Sequence, residues 1–178
     1  MSIGQVAPSL LMFNGLFFGA ILSLLLVALM LGSLAVAPDI WVNDYPPDIR
    51  EKYGPKSARA KRFTPCFSLL LFAIMIGVLA ISLLRLRIAT EVPLTFFSVF
   101  LTAFLVLFTF NLVDLLIIDW LIFVTVQPRV VILPGTEGMP GYKDYRFHFV
   151  GFLKGILFSA GFALVISAAA VGLQALIA

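Results

Sequence analysis

Three side chains able to do acid–base chemistry fall in the second half of a very apolar sequence: Asp114, Asp119 and His148. A carboxylate inside an apolar helix is costly and usually faces protein or water, so it marks a functional site by default. At about 100° per residue, Asn111, Asp114 and Asp119 share an arc of roughly 140° on one helix face. His148 is the only histidine. Its ring can serve as a general base, or as a ligand alongside either aspartate. The plainer reading is an interfacial ring hydrogen-bonded to backbone or water, beside the acids Glu137 and Asp144. One imidazole with carboxylates suits a hard cation such as Mg²⁺, whereas a zinc site built from several histidines of one chain is excluded. Cys66 is the only cysteine, which excludes an internal disulfide and a thiolate cluster within the chain. No metal or other cofactor is assigned.

Lys154 adds a cation. It lies seven residues past Phe147, and Asp119 lies seven residues before Val126. On antiparallel helices the two would sit at equal depth, either as a structural ion pair or as part of a polar site. Removing one partner of such a pair leaves a buried charge uncompensated.

Known catalytic signatures are missing. Gly135-Thr136-Glu137-Gly138 is not followed by Gly-Lys-Ser/Thr, so it is no phosphate-binding loop. The sequence also lacks a Gly-x-Ser-x-Gly elbow, a His-Glu-x-x-His pair and a dinucleotide-binding glycine pattern.

The elements that would position these residues follow from composition. Of 178 residues, 62% are hydrophobic and 12% charged, and the mean hydropathy is +1.12. A soluble domain is about 25% charged. Four apolar runs occupy about 9–36, 67–88, 93–126 and 147–178. A helix crossing about 30 Å of hydrocarbon needs about 20 residues, so each run suffices. The runs lack the alternation of barrel strands, and only helices or closed barrels satisfy their backbone in lipid. The expected fold is an all-α membrane protein: a four-transmembrane-helix bundle with a small ordered cap from the first and third connections. Residues 1–8 carry no Lys or Arg and the following run is longer than a signal peptide's apolar region, so the first helix is expected to stay in the mature chain.

The connections, about 38–66 and 127–146, carry the charge. Arg50, Lys52, Lys56, Arg59, Lys61 and Arg62 lie in one, and Arg129, Lys143 and Arg146 in the other. Only Arg85 and Arg87 flank the short second connection. The positive-inside rule places the long connections in the cytoplasm and both termini opposite. The basic stretch is expected to face anionic lipid headgroups rather than nucleic acid. Within the connections, the Pro46-Pro47 pair opens and Gly54 closes a short helix. Arg129–Leu133 is β-prone, and 135–141 reads as consecutive turns.

Depth matters for the acids. If the third span ends near Val126, Asp119 lies about 10 Å and Asp114 about 18 Å inside it. If the span covers 93–113, both stand on a helical extension outside the hydrocarbon, which relieves the charge cost.

Small residues form two ladders at four-residue spacing: Gly15, Gly19 and Ser23, then Gly151, Gly155, Ser159, Ala163 and Ser167. Such ladders let helix backbones approach closely, inside one bundle or across a homo-oligomer. The reading ranked first is a non-enzymatic assembly, regulatory or scaffold subunit whose cytoplasmic connections bind a protein partner. Behind it stand a membrane-embedded enzyme acting on a lipid-linked substrate through Asp114, Asp119 and His148, and an oligomeric proton- or ion-coupled carrier using Asn111 and Asp114.

Overall fold

The computed structural model describes residues 6–90 and 92–177. All regular structure among them is helical. Helix α1 spans Pro8–Val36, α2 Pro47–Tyr53, α3 Ala58–Thr90, α4 Phe96–Val113 and α5 Tyr145–Ile177, with 3₁₀ turns at Pro38–Asp44 and Pro140–Lys143. Beyond Val113, α4 continues to Val126 as a π-helix. Four of these helices, of 29, 33, 31 and 32 residues, are long and apolar enough to cross a membrane.

Local chemistry sets the helix ends. Thr95 caps α4, its Oγ1 accepting from the Ser98 N–H at 3.2 Å, and Asp144 caps α5 by accepting from the Phe147 N–H at 2.9 Å. Helix α2 ends at Gly54, whose φ of +87° closes the helix while its N–H returns to the Arg50 carbonyl. Helix α3 begins nine residues earlier than the apolar run suggests, so Arg59, Lys61 and Arg62 are helical rather than part of a loop. The cause is a cap that hydropathy does not report. Ser57 Oγ accepts the Ala60 N–H at 3.1 Å, while Ser57 donates through its backbone and hydroxyl to the buried Asp39 carboxylate at 2.5 and 3.1 Å.

The chain forms two compact units. The first comprises Met1–Ser23, Met75–Asn111 and Leu153–Ala178. Its core includes Leu11, Leu86, Leu94 and Val99, and Asn14 Nδ2 donates to Ser82 Oγ at 2.8 Å. Part of the small-residue ladders packs here. A Cβ on Gly15 would lie 2.6 Å from Leu105 Cβ, and one on Gly19 2.5 Å from Thr109 Cβ. A Cβ on Gly155 would collide with the Asn111 carboxamide. Ser159, Ala163 and Ser167 are buried, and so is Ser23, whose hydroxyl donates to the Gly19 carbonyl. Gly151 is exposed and faces open space.

The second unit comprises Leu24–Ile74 and Leu112–Phe152. Both long connections share one buried cluster here, with Val42, Tyr45 and Ile49 from the first, Val131, Leu133 and Tyr142 from the third, and Leu34, Phe123 and Val124 from the helices. The Gly141 N–H donates to Asp48 Oδ2 at 2.9 Å, and a Cβ on Gly141 would strike that carboxylate. The β-prone Arg129–Leu133 run forms turns instead of a strand. Two buried tyrosines take the place of a neighbouring strand: Tyr45 donates its hydroxyl to the Val131 carbonyl, and Tyr142 Oη accepts the Leu133 N–H, both at 2.9 Å. The backbone groups are thus satisfied without a ladder.

Candidate functional site

The candidate site lies on the π-helical continuation of α4. Hydrogen bonds there run from residue i to i−5, as in the Gln127 N–H to the Ile122 carbonyl at 2.9 Å. The Thr125 hydroxyl likewise donates to the Trp120 carbonyl at 2.7 Å. Such segments are rare and concentrate at functional sites. The wider turn changes which residues share a face. Leu115, Phe123 and Val124 are buried with Asp114 and Asp119 half-buried, whereas Leu116, Ile117, Leu121, Thr125 and Val126 are exposed. Burial therefore recurs every four to five residues, and the five-residue step from Asp114 to Asp119 keeps both acids on one side. The 100° step used to read the sequence does not hold beyond Val113.

Gln127 ends the π-helix in the left-handed region at φ +48°, where a residue with a Cβ is strained. Its side chain offsets the strain by donating to the Val124 and Tyr142 carbonyls at 2.9 and 2.8 Å. The start of α5 is tied to the same segment. Trp120 and Tyr145 pack ring edge to face at 5.7 Å, and the Thr125 and Tyr145 hydroxyls lie 2.9 Å apart.

This junction brings Asp119 to His148. The imidazole Nδ1 sits 2.9 Å from Asp119 Oδ1, with His148 only 5% exposed and Asp119 24% exposed. The ring rests on Phe123 at 4.8 Å and Phe147 at 5.3 Å. With Nδ1 held as donor to a carboxylate, the lone pair of neutral His148 is on Nε2. That atom is buried and has no hydrogen-bond partner. Asp114 Oδ1 is likewise buried without a partner, and Asp114 lies within electrostatic range of Asp119 and Asp44. Buried polar atoms are satisfied in the great majority of cases, and an unsatisfied one costs about 1–3 kcal/mol. Thr102 Oγ1, in the first unit, is a third such atom among the described residues, and Asp114 and His148 are the two whose groups exchange protons. A carboxylate that fixes an imidazole through one nitrogen and leaves the other free is the arrangement of a proton acceptor and donor.

The other residues singled out in the sequence go elsewhere. Lys154 is exposed, and the carboxylate expected to meet it is held by His148. Asp144 is the α5 cap. Glu137 is exposed; its own backbone N–H, and then the Gly135 N–H donating at 3.1 Å, hold its carboxyl below the usual range. Glu137 lines an open cleft of about 460 Å³ with Gln127, Arg129, Ile132 and Gly138. Asn111 packs against Gly155 in the first unit. Among the described residues no three of His, Cys, Asp and Glu converge as a metal cage.

Sequence reasoning missed Tyr45, Trp120, Gln127 and Tyr142, which hold the junction. The available signal was the density of aromatics around Pro140–Phe149, which reads equally well as a membrane-interface belt. The chain matches no protein-family model, no curated protein and no solved structure.

Proposed function

We propose that this protein handles protons: Asp119, His148 and Asp114 form an acid–base site at the junction of the third and fourth spans, and His148 Nε2 is the atom that takes up and releases the proton. One observation carries this reading. Nδ1 is committed to Asp119 at 2.9 Å while Nε2 is buried and unpartnered. A proton suits both unpartnered atoms, one an imidazole nitrogen and the other a carboxylate oxygen, each buried. Proton-coupled transport is the function class this supports, with general acid–base catalysis on a lipid-linked substrate as the neighbouring one.

The test is proton flux into liposomes holding the reconstituted chain and a trapped pH-sensitive dye. Asp119→Asn keeps an acceptor for the Nδ1 proton and should fold as the parent does. Both Asp119→Asn and His148→Gln should reduce flux at least tenfold. Flux unchanged in both variants, with folding intact, would remove the reading.

A second reading is favoured by the buried cluster shared by the two long connections. As an ordered cap over a four-helix bundle, it would make the chain an assembly or regulatory subunit that docks a protein partner. The nine basic residues of these connections and the helix turns beside them, against Arg85 and Arg87, support a cytoplasmic cap with both termini opposite. A homo-oligomer would have to use surface other than Gly15, Gly19 and Gly155, which pack within the chain.

A further inference from the structure

We infer that the outward face of α3 holds an anionic phospholipid, with its headgroup on Arg59, Lys61 and Arg62 and an acyl chain along Leu69 and Phe72. All five residues are exposed, Leu69 by 73% and Phe72 by 50%. They belong to one helix, Ala58–Thr90, whose helical run continues through Pro65 between Arg62 and Leu69. At about 100° per residue, Lys61, Phe72, Leu69, Arg62 and Arg59 follow one another around an arc of roughly 160°. The opposite side of these turns is occupied. Ala60 is buried with Ala37 and Ile40, and Phe63 and Phe67 pack against that cluster, while Thr64 donates to the Ala60 carbonyl.

Spacing along the axis matches a lipid. From Arg62 to Leu69 is seven residues, about 10 Å, which carries the same helix face from headgroup depth into hydrocarbon. The arginines and the lysine supply charge where anionic headgroups concentrate, and the exposed leucine and phenylalanine below them need an apolar neighbour. A soluble anion would use the first feature and leave the second uncovered.

The basic face is also held in place. Asp39 is buried and turned inward onto Ser57, so its carboxylate is committed to fixing the helix start. The Arg62 guanidinium packs over the Phe63 ring at 5.9 Å. This inference stands apart from the acid–base reading and uses none of its residues.

The experiment is native mass spectrometry of the full chain extracted from nanodiscs containing phosphatidylglycerol and phosphatidylcholine. Each Lys or Arg near an anionic surface contributes roughly fivefold, so Arg59→Gln/Lys61→Gln/Arg62→Gln should lower the preference for phosphatidylglycerol on the order of 100-fold. Lys143→Gln/Arg146→Gln should keep it. Glycerol phosphate, the headgroup without its chains, should not displace the lipid. Phosphatidylglycerol retained by the triple variant overturns the site. A loss of about 25-fold in the double variant, the value for two charges, also overturns it, because binding would then follow total charge. Displacement by glycerol phosphate would reassign the face to soluble phosphates. Should the triple variant fail to fold, Leu69→Asn alone must weaken lipid retention, and unchanged retention would count against the site.

Discussion

Gly19→Ala tests the close packing of the first unit. A methyl group at this position would lie 2.5 Å from Thr109 Cβ, 2.8 Å from its hydroxyl and 3.0 Å from Cγ2. Carbon–carbon contacts are comfortable at about 3.5–4.0 Å, so the helices must separate by roughly 1 Å. All three contacts are to one β-branched side chain with a stiff χ1, so Thr109 cannot swing aside at low cost. Its hydroxyl is also committed to the Leu105 carbonyl at 2.7 Å. Overpacking of this kind costs about 1–3 kcal/mol, against a gain of up to about 1 kcal/mol for replacing glycine in a helix. The expected net loss is about 1–2 kcal/mol, a fall in Tm of roughly 2–8 °C. The control is Gly151→Ala, at a position of the other ladder where no atom lies within 4 Å. It should be neutral or slightly stabilising. Thermal unfolding in one detergent, followed by helical circular dichroism, reads both. Equal Tm values for the two variants, or a greater loss in Gly151→Ala, would refute the packing argument.

Two further outcomes follow from the tyrosines of the connections. Tyr142→Phe removes the acceptor of the buried Leu133 N–H and the partner of Thr136 Oγ1 at 2.7 Å. It should destabilise by about 1–3 kcal/mol in detergent unfolding, and more than Tyr45→Phe, which frees only a carbonyl. Burial of Tyr45, and then the nearby Tyr142 hydroxyl, raise its ionisation above the ordinary 10.0. The unfolded chain therefore loses that proton first, so stability should hold below pH 10 and decline above it. Tyr45→Phe should flatten that decline in unfolding measured across alkaline pH.

Much of the fold was legible because hydropathy and length leave few options. Runs of about 20 apolar residues in lipid must be helices, and the prolines and Gly54 around α2 announced its ends. The early start of α3 was hidden because its cap depends on Asp39, eighteen residues before Ser57 in sequence. At the site, Asp119 and His148 were named as groups that could act together, but which aspartate meets the imidazole was left open. Their pairing depends on the π-helical turn, which alters the angular step, and neither hydropathy nor motif reports an i to i−5 ladder. The depth argument favoured Lys154 as the partner because it assumed regular α-helices throughout. The tyrosine hydroxyls that satisfy Val131 and Leu133 were hidden for a related reason. A β-prone run has the same composition whether a strand or a side chain answers its backbone.

The most direct test of the acid–base site uses the fact that His148 is the only histidine. Nitrogen-15 labelling of histidine gives one pair of ring signals from the untagged protein in nanodiscs. Nδ1 should carry the proton, Nε2 should be bare, and Asp119→Asn should shift both signals. A proton fixed on Nε2 with Nδ1 bare, or ring signals unmoved by Asp119→Asn while the protein stays folded, would contradict the account.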